Sequence, residues 1–377
     1  MWRAFLASNG RSYRPWIAMI AANAAVMIAA LLFRYMYGEN DQYAHLLVNY
    51  HDGFLKRALI GEIVSLVFSP TVPIWLVYGL GTAVWLAALL LFLKAFRRIV
   101  GFSEQTLPMF VLMFASPAFL KNFIDSLGYF DIYGCIVALL MLTIPARSVL
   151  YVVIAGAASC VLILIHHVHF LMYLPTIAII VIIRHYCMQR LAPATVAAGV
   201  VLAALALATF LLSQFYGSPR IPEADFQALL QSRMTVPGAK ILTNMWYLTL
   251  DQEIVRTWLE MPKNAPRIPV YVALAAAHWP LIGSFRDNLR RLDNPLHRRI
   301  VTAGLAGVTL AYAVIFAVVF DYARWTSNWI VCMFLLLLAT RCLPRRSEPE
   351  AIRNSGGAQA TGWLLTILPR VGIIRPF

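Results

Sequence analysis

The chain is predicted to be all-α: a polytopic integral membrane protein with about ten transmembrane helices and interfacial helices on its outer face. Three observations carry this expectation. Of its 377 residues 61% are hydrophobic and only 13% charged, with a mean hydropathy of +0.72, whereas a soluble globular chain carries about 25% charged residues. Apolar runs long enough to cross roughly 30 Å of hydrocarbon recur along the sequence. Lysine and arginine then alternate between successive loops in the way that orients membrane proteins.

The apolar runs lie near residues 16–33, 72–93, 107–120, 130–145, 149–165, 168–183, 193–213, 268–285, 300–320 and 327–340. The first has a basic flank, Arg3, Arg11 and Arg14, like a signal peptide. Its apolar part is too long and no small-residue cleavage site follows, so it reads as a retained span. With the N-terminus inside, the inner loops carry seventeen Lys or Arg and the outer loops other than 214–267 five. The net charge of +14 therefore reports orientation and attraction to anionic headgroups rather than nucleic-acid binding. Twelve of the seventeen acidic residues fall on the outer side, which concentrates polar chemistry there.

Residues 149–183 hold no Gly or Pro between Gly156 and Pro175. As one helix they would run to about 52 Å, too long for a single crossing, so two short spans are expected to turn at His166-His167-Val168-His169. The five cysteines lie inside spans or at inner ends, with no disulfide framework and no CxxC pair.

The transmembrane domain is expected to cover residues 1–343, with long outer segments at 34–70 and 214–267. In the first, Phe54, Leu55, Ala58 and Leu59 recur at helical spacing with Lys56 and Arg57 away from them, predicting an amphipathic interfacial helix. In the second, Pro222-Glu223 with Asp225 predicts a helix start with Phe226, Leu229, Leu230 and Met234 on one face. Thr249-Leu-Asp-Gln252 has capping-box spacing before a stripe of Leu250, Ile254, Val255, Trp258 and Leu259. Trp246 and Trp258 suit the headgroup level. Residues 344–377 read as a polar cytoplasmic tail whose end is apolar enough to touch the membrane but too short to span it.

Four constellations could carry chemistry. Asp321 and Arg324 stand i, i+3 at the outer end of the ninth span: either a helix-end ion pair, or a bidentate phosphate holder in which Trp325 stacks on a sugar or lipid head. Asp52, Lys56 and Arg57, bracketed by Gly53 and Gly61, are either a solvated face or paired cations for a diphosphate leaving group. His166, His167 and His169 leave three readings open: metal ligands, polar padding, or proton transfer and substrate contact. Metal ligation needs a convergence that a tight turn does not readily supply, so no metal site is predicted. Asp131 enters the fourth span, where an acid is usually functional. No nucleotide-binding or nucleophile-elbow motif appears in a confirming context.

Taken together, these features resemble the polytopic glycosyltransferases that use lipid-linked sugars, and the Wzy-type polysaccharide polymerases, of bacterial envelopes. The likeness rests on the span count, the long outer loop in the second half, the acid–base segment after the first span (Glu39, Asp41, Asp52, Lys56, Arg57) and the Asp321, Arg324, Trp325 cluster. The C-type glycosyltransferase version implies a first-loop carboxylate as base, Glu39, Asp41 or Asp52 here, beside a divalent cation. The polymerase version implies outer-face arginines, here Arg57 and Arg324. Both imply a polyprenyl phosphate or diphosphate leaving group and a location in the bacterial cytoplasmic membrane with both termini inside. Asp41, Asp52, His166 and His167 are the expected catalytic residues. Glu39, Lys56, Arg57, Asp131, His169, Asp321, Arg324 and Trp325 are the expected substrate contacts. A flippase or transporter and a histidine-dependent acyltransferase are the rival readings from other classes.

Overall fold

The computed structural model describes residues 13–37, 41–187, 192–236, 241–347, 351–352 and 354–371. Glu39 lies outside the described residues, as does the side chain of Asp41, whose backbone belongs to the single turn Asp41–Tyr43. The chain is 75% helical. Among the described residues there are no strands, only isolated bridges between Val72 and Met234 and between Leu292 and Arg345.

The first half builds α1 (Arg14–Tyr37), the short α2 (Leu59–Ser65), α3 (Trp75–Ile99), α4 (Leu107–Phe114), α5 (Leu120–Asp125), α6 (Asp131–Thr143), α7 (Val149–Ile165) and α8 (Leu174–Val181). The second half builds α9 (Pro193–Tyr216), α10 (Glu223–Ser232), α11 (Leu250–Asn264), α12 (Ile268–Ala277), α13 (Trp279–Arg290), α14 (Pro295–Val318), α15 (Tyr322–Thr340) and α16 (Gly356–Ile367). Proline opens α9 and α14, where its missing N–H costs nothing, and Asn294 caps α14 by accepting from the Leu296 N–H at 2.8 Å. Thr249 N–H donates to Gln252 Oε1 at 3.1 Å, the expected capping contact at the start of α11.

Among the described residues five helices, α1, α3, α9, α14 and α15, are long and apolar enough to cross a membrane. A sixth crossing is available if α11–α12 and α13, bent by 54° at His278, count as one. The remaining apolar runs form shorter helices, including Asp131–Thr143, Val149–Ile165 and Leu174–His185. The run at 107–120 is broken: α4 stops before Ser116-Pro117 and α5 resumes at Leu120. Ser116 Oγ accepts from the Ala118 N–H at 3.2 Å and lies 2.9 Å from His278 Nε2, whose ring Nδ1 lies 2.8 Å from the Leu274 carbonyl. The two breaks thus meet through Ser116 and His278, while each side chain serves a backbone group freed at its own break, as a low-dielectric interior requires.

The central helix is α15, almost wholly buried along its length. A second apolar core lies apart from the bundle, built from residues 43–77 and 226–246 with Phe130 and Ile165. Two segments expected to lie as separate interfacial helices instead close on each other as one cap. Arg233 joins them, donating from Nη2 to Asp52 Oδ2 at 3.0 Å and from Nη1 to the Leu47 carbonyl at 3.0 Å. Trp246 is fully buried and donates to the Lys56 carbonyl at 2.8 Å, so it is a cap anchor and not a headgroup residue. The helix expected over 52–62 is displaced to Leu59–Ser65 because Gly53 (φ 108) and Arg57 (φ 64) both take left-handed backbone. Trp258 and Leu259 of α11 face outward, 58% and 70% exposed, as the apolar stripe anticipates.

The loops gather at two ends. One end brings together Asp52 and Arg233, Asp131 and Arg324, and His169 with the Phe130 carbonyl. The other brings Arg98 to the Thr143 carbonyl, Arg184 to the Ile144 carbonyl, His185 to the Ala146 carbonyl and Leu292 to Arg345.

Candidate functional site

The capped end holds a largely buried cluster, termed the mouth below, in which most of the singled-out residues converge. Arg324, at the start of α15, is the hub: its Nε lies 2.8 Å from Asp131 Oδ2 and its Nη1 3.4 Å from Asp321 Oδ2. Asp131, only 1% exposed, also accepts from Asn328 Nδ2 at 3.0 Å, and the Tyr173 hydroxyl donates to Asn328 Oδ1 at 2.7 Å. Asn328 is one turn along α15 from Arg324, so the same helix face supplies both groups. The guanidinium lies over the rings of Tyr129, at 5.5 Å, and Trp325, at 4.3 Å. Trp325 itself is buried and donates from Nε1 to the Val319 carbonyl at 3.1 Å. It braces the arginine and offers no open ring for stacking on a ligand, because its face is already covered.

Lys56 and Arg57 come from the cap. Lys56 is buried, its Nζ donating to the Leu248 carbonyl at 2.9 Å. Burial first, then the neighbouring Arg57 charge, lowers its pKa to about 8, with Glu253 opposing. Arg57 is half-buried, its Nη1 3.0 Å from Met245 Sδ and its Nε without a partner. Its φ of 64 puts a long side chain in the left-handed region, a strained placement of the kind that gathers at working sites. Asp52 takes no part in this group: its carboxylate is held by Arg233 Nη2 at 3.0 and 3.2 Å, so a base role would require breaking a cap pair.

Three histidines face these cations. His45, which the sequence reading passed over, is 2% exposed and packs against Tyr129, Phe130 and Trp246 with ring centroids 4.6–6.0 Å away. His166 and His167 follow the end of α7, ring centroids 5.5 Å apart, with His169 5.9 Å from His166. Burial first, then the Arg57 charge, holds His45, His166 and His167 well below the ordinary imidazole range, so all three are neutral near pH 7.

Hydrogen bonds distinguish the rings. His166 Nδ1 accepts from the Val168 N–H at 3.3 Å, which leaves its proton on Nε2 as a donor. His169 donates from Nε2 to the Phe130 carbonyl at 3.1 Å. His45, His167 and His169 each keep a buried Nδ1 with no partner, the sort of group a ligand completes. Among the described residues no group of three or more His, Cys, Asp or Glu is arranged to hold a metal ion.

Gly134 makes this packing possible. A Cβ there would sit 2.3 Å from the Tyr173 ring and 2.9 Å from His169 Nδ1, so α6 touches the histidine turn only because position 134 is bare.

An apolar groove of about 540 Å³ runs beside the mouth, between α11–α12 and α14–α15, lined by Trp258, Tyr271, Phe316, Tyr322 and Trp329 among others. Tyr322 joins the groove to Asp321 and Arg324 directly along the chain. The Asp321 carboxyl is pushed up by burial, opposed by Arg324 and reinforced by the Asp131 and Asp125 carboxylates.

His45, Glu253 and Tyr129 complete the arrangement without having been singled out as site residues. Only His45 offered a local signal, standing in the same segment as Asp41 and Asp52. Comparison with protein-family models, curated proteins and solved structures finds no match for this chain.

Proposed function

We propose that this multi-pass membrane protein transfers sugar from a polyprenyl phosphate- or diphosphate-linked donor at the outer face of a bacterial cytoplasmic membrane, as a glycosyltransferase or polysaccharide polymerase of envelope polysaccharide or glycolipid synthesis. The shorter helices join the long ones to make about ten crossings in this reading, with the N-terminus inside. One observation carries the proposal: a cluster combining Arg324, Arg57 and Lys56 with neutral, incompletely bonded imidazoles lies beside a groove of lipid-chain character.

The chemistry divides naturally among these groups. An acceptor hydroxyl attacks the anomeric carbon, and its proton passes to an imidazole, with His45, His167 and His169 each holding a partnerless Nδ1. His166 Nε2–H is a donor and orients the acceptor. The bond from the anomeric carbon to the phosphate oxygen breaks with its electron pair on that oxygen. Arg324 and Arg57 stabilise the charge that develops there, and planar guanidinium groups suit this better than ammonium groups. Asp131 holds Arg324 in place.

A second reading, a transporter for a lipid-linked or anionic substrate, draws support from the 54° break at His278, because interrupted helices are a feature of transporters. Reconstitution separates the two. Vesicles containing the protein and a labelled polyprenyl diphosphate sugar should release polyprenyl diphosphate under the first reading. Under the second they should only move the intact lipid between leaflets. Retention of full product formation by Arg324→Lys, Arg57→Lys and His167→Ala would remove the enzyme reading.

A further inference from the structure

The C-terminal segment does not hang free of the bundle. Trp16, near the start of α1, donates from Nε1 to Asn354 Oδ1 at 2.9 Å, which fixes where α16 begins. The helix then runs along α1, approaching so closely that a Cβ on Gly362 would lie 2.7 Å from Met19 Sδ. Its last carbonyls, Leu365 and Thr366, accept from Lys121 Nζ at 2.6 and 3.1 Å. Lys121 belongs to α5 and is 1% exposed. A buried lysine amine at a helix C-terminus satisfies carbonyls that the helix leaves orphaned. Pro369 stops the helix from continuing, and the chain extends to Arg370, whose Nη1 pairs with Asp125 Oδ1.

This path carries Arg370 from the basic end of the bundle to the capped end. Asp125 is one of the carboxylates acting on Asp321. Arg370 also lines a second groove of about 380 Å³ together with Arg267 and Tyr271, and Tyr271 lines the 540 Å³ groove as well. The Arg370 and Asp125 side chains keep 26% and 37% of their exposure, so an incoming anion can reach the guanidinium and displace the carboxylate.

We propose that Arg370, delivered by the segment after the last long helix, is a third guanidinium of the mouth and contacts the phosphate of the lipid-linked donor. This rests on the reading of the mouth as a polyprenyl phosphate site and adds the element that completes it. Arg370 is a substrate-binding residue, and α16 and Lys121 position it.

The test uses the full chain in lipid nanodiscs with farnesyl diphosphate as a short polyprenyl probe. Binding and thermal unfolding are measured for the wild type, Arg370→Gln, Arg370→Lys and Asp125→Asn. A lost charge-assisted phosphate contact should weaken binding roughly tenfold to a hundredfold in Arg370→Gln, with Arg370→Lys between it and the wild type. Asp125→Asn frees the guanidinium, so its binding should equal or exceed the wild type's. A merely structural ion pair would instead give matched losses of melting temperature and binding in Arg370→Gln and Asp125→Asn, and that result overturns the proposal. So does unchanged binding in Arg370→Gln. Absence of farnesyl diphosphate binding by the wild type removes the donor class itself, and Arg370's role with it.

Discussion

Arg324 holds its Nε 2.8 Å from Asp131 Oδ2, joining the start of α15 to the first residue of α6. Asn328 donates to the same carboxylate oxygen, so the acid is bonded twice from one face of one helix. Breaking a buried pair by removing one partner strands the other charge. Asp131→Asn should therefore cost about 3–5 kcal/mol of stability, and Asp131→Asn with Arg324→Gln less than Arg324→Gln and Asp131→Asn summed. Denaturant unfolding in detergent measures both. A single mutant that unfolds at the wild-type midpoint would show that the pair does not hold α6 to α15.

The pH behaviour should have two separate limbs. His45, His166 and His167 are neutral in the fold below the pH at which an unfolded imidazole, with a pKa near 6.5, takes up its proton. The unfolded chain then binds more protons, so stability should fall as pH drops below about 6.5. Lys56, lowered to about 8, loses its charge as pH rises through that value, and donor binding should weaken there. Between about 8 and 10.5 the unfolded lysine still holds its proton, so stability should rise while binding falls. Lys56→Arg should move the alkaline limb upward, and a limb that stays near 8 would assign it to another group.

Gly134→Ala should disrupt the histidine turn, because the added methyl meets the Tyr173 ring at 2.3 Å and His169 Nδ1 at 2.9 Å. Backbone has to move, and overpacking of this kind costs about 1–3 kcal/mol. Loss of product together with a lowered melting temperature is the expected outcome. Wild-type values for both would mean that α6 can recede without penalty.

The membrane class was legible from composition alone, and the turn at His166 from the excess length of residues 149–183. Helix starts at Glu223 and Leu250 were readable because capping and proline chemistry are local. The cap was not. Its formation depends on Arg233 reaching Asp52 across a long separation in sequence, and nothing near either residue signals the partner. Arg57 misled in the other direction: its spacing fits a helix, yet Gly53 and the Trp246 bond to the Lys56 carbonyl hold the chain irregular there. Of the site, the cations and the histidine turn were visible as residue types, whereas His45 and Arg370 join it only through folding. Trp325 was identified for an aromatic face that turns out to be covered.

The Asp52–Arg233 pair should act on the cap and not on the chemistry. With both side chains partly exposed, a double-mutant cycle of Asp52→Asn and Arg233→Gln should give a coupling of about 1 kcal/mol. Asp52→Asn should keep turnover per folded molecule. A rate loss of about a hundredfold or more at wild-type stability would return Asp52 to the role of proton acceptor.

The most direct test of a cationic mouth that discharges a lipid-linked sugar is release of polyprenyl diphosphate by the purified chain in vesicles supplied with a labelled donor and an acceptor sugar. The wild type should release it in step with product, and Arg324→Lys and His167→Ala should each lose about a hundredfold or more in rate with the fold intact. Donor that crosses the bilayer undamaged, with no diphosphate released, would contradict the account and identify the mouth as part of a transport path.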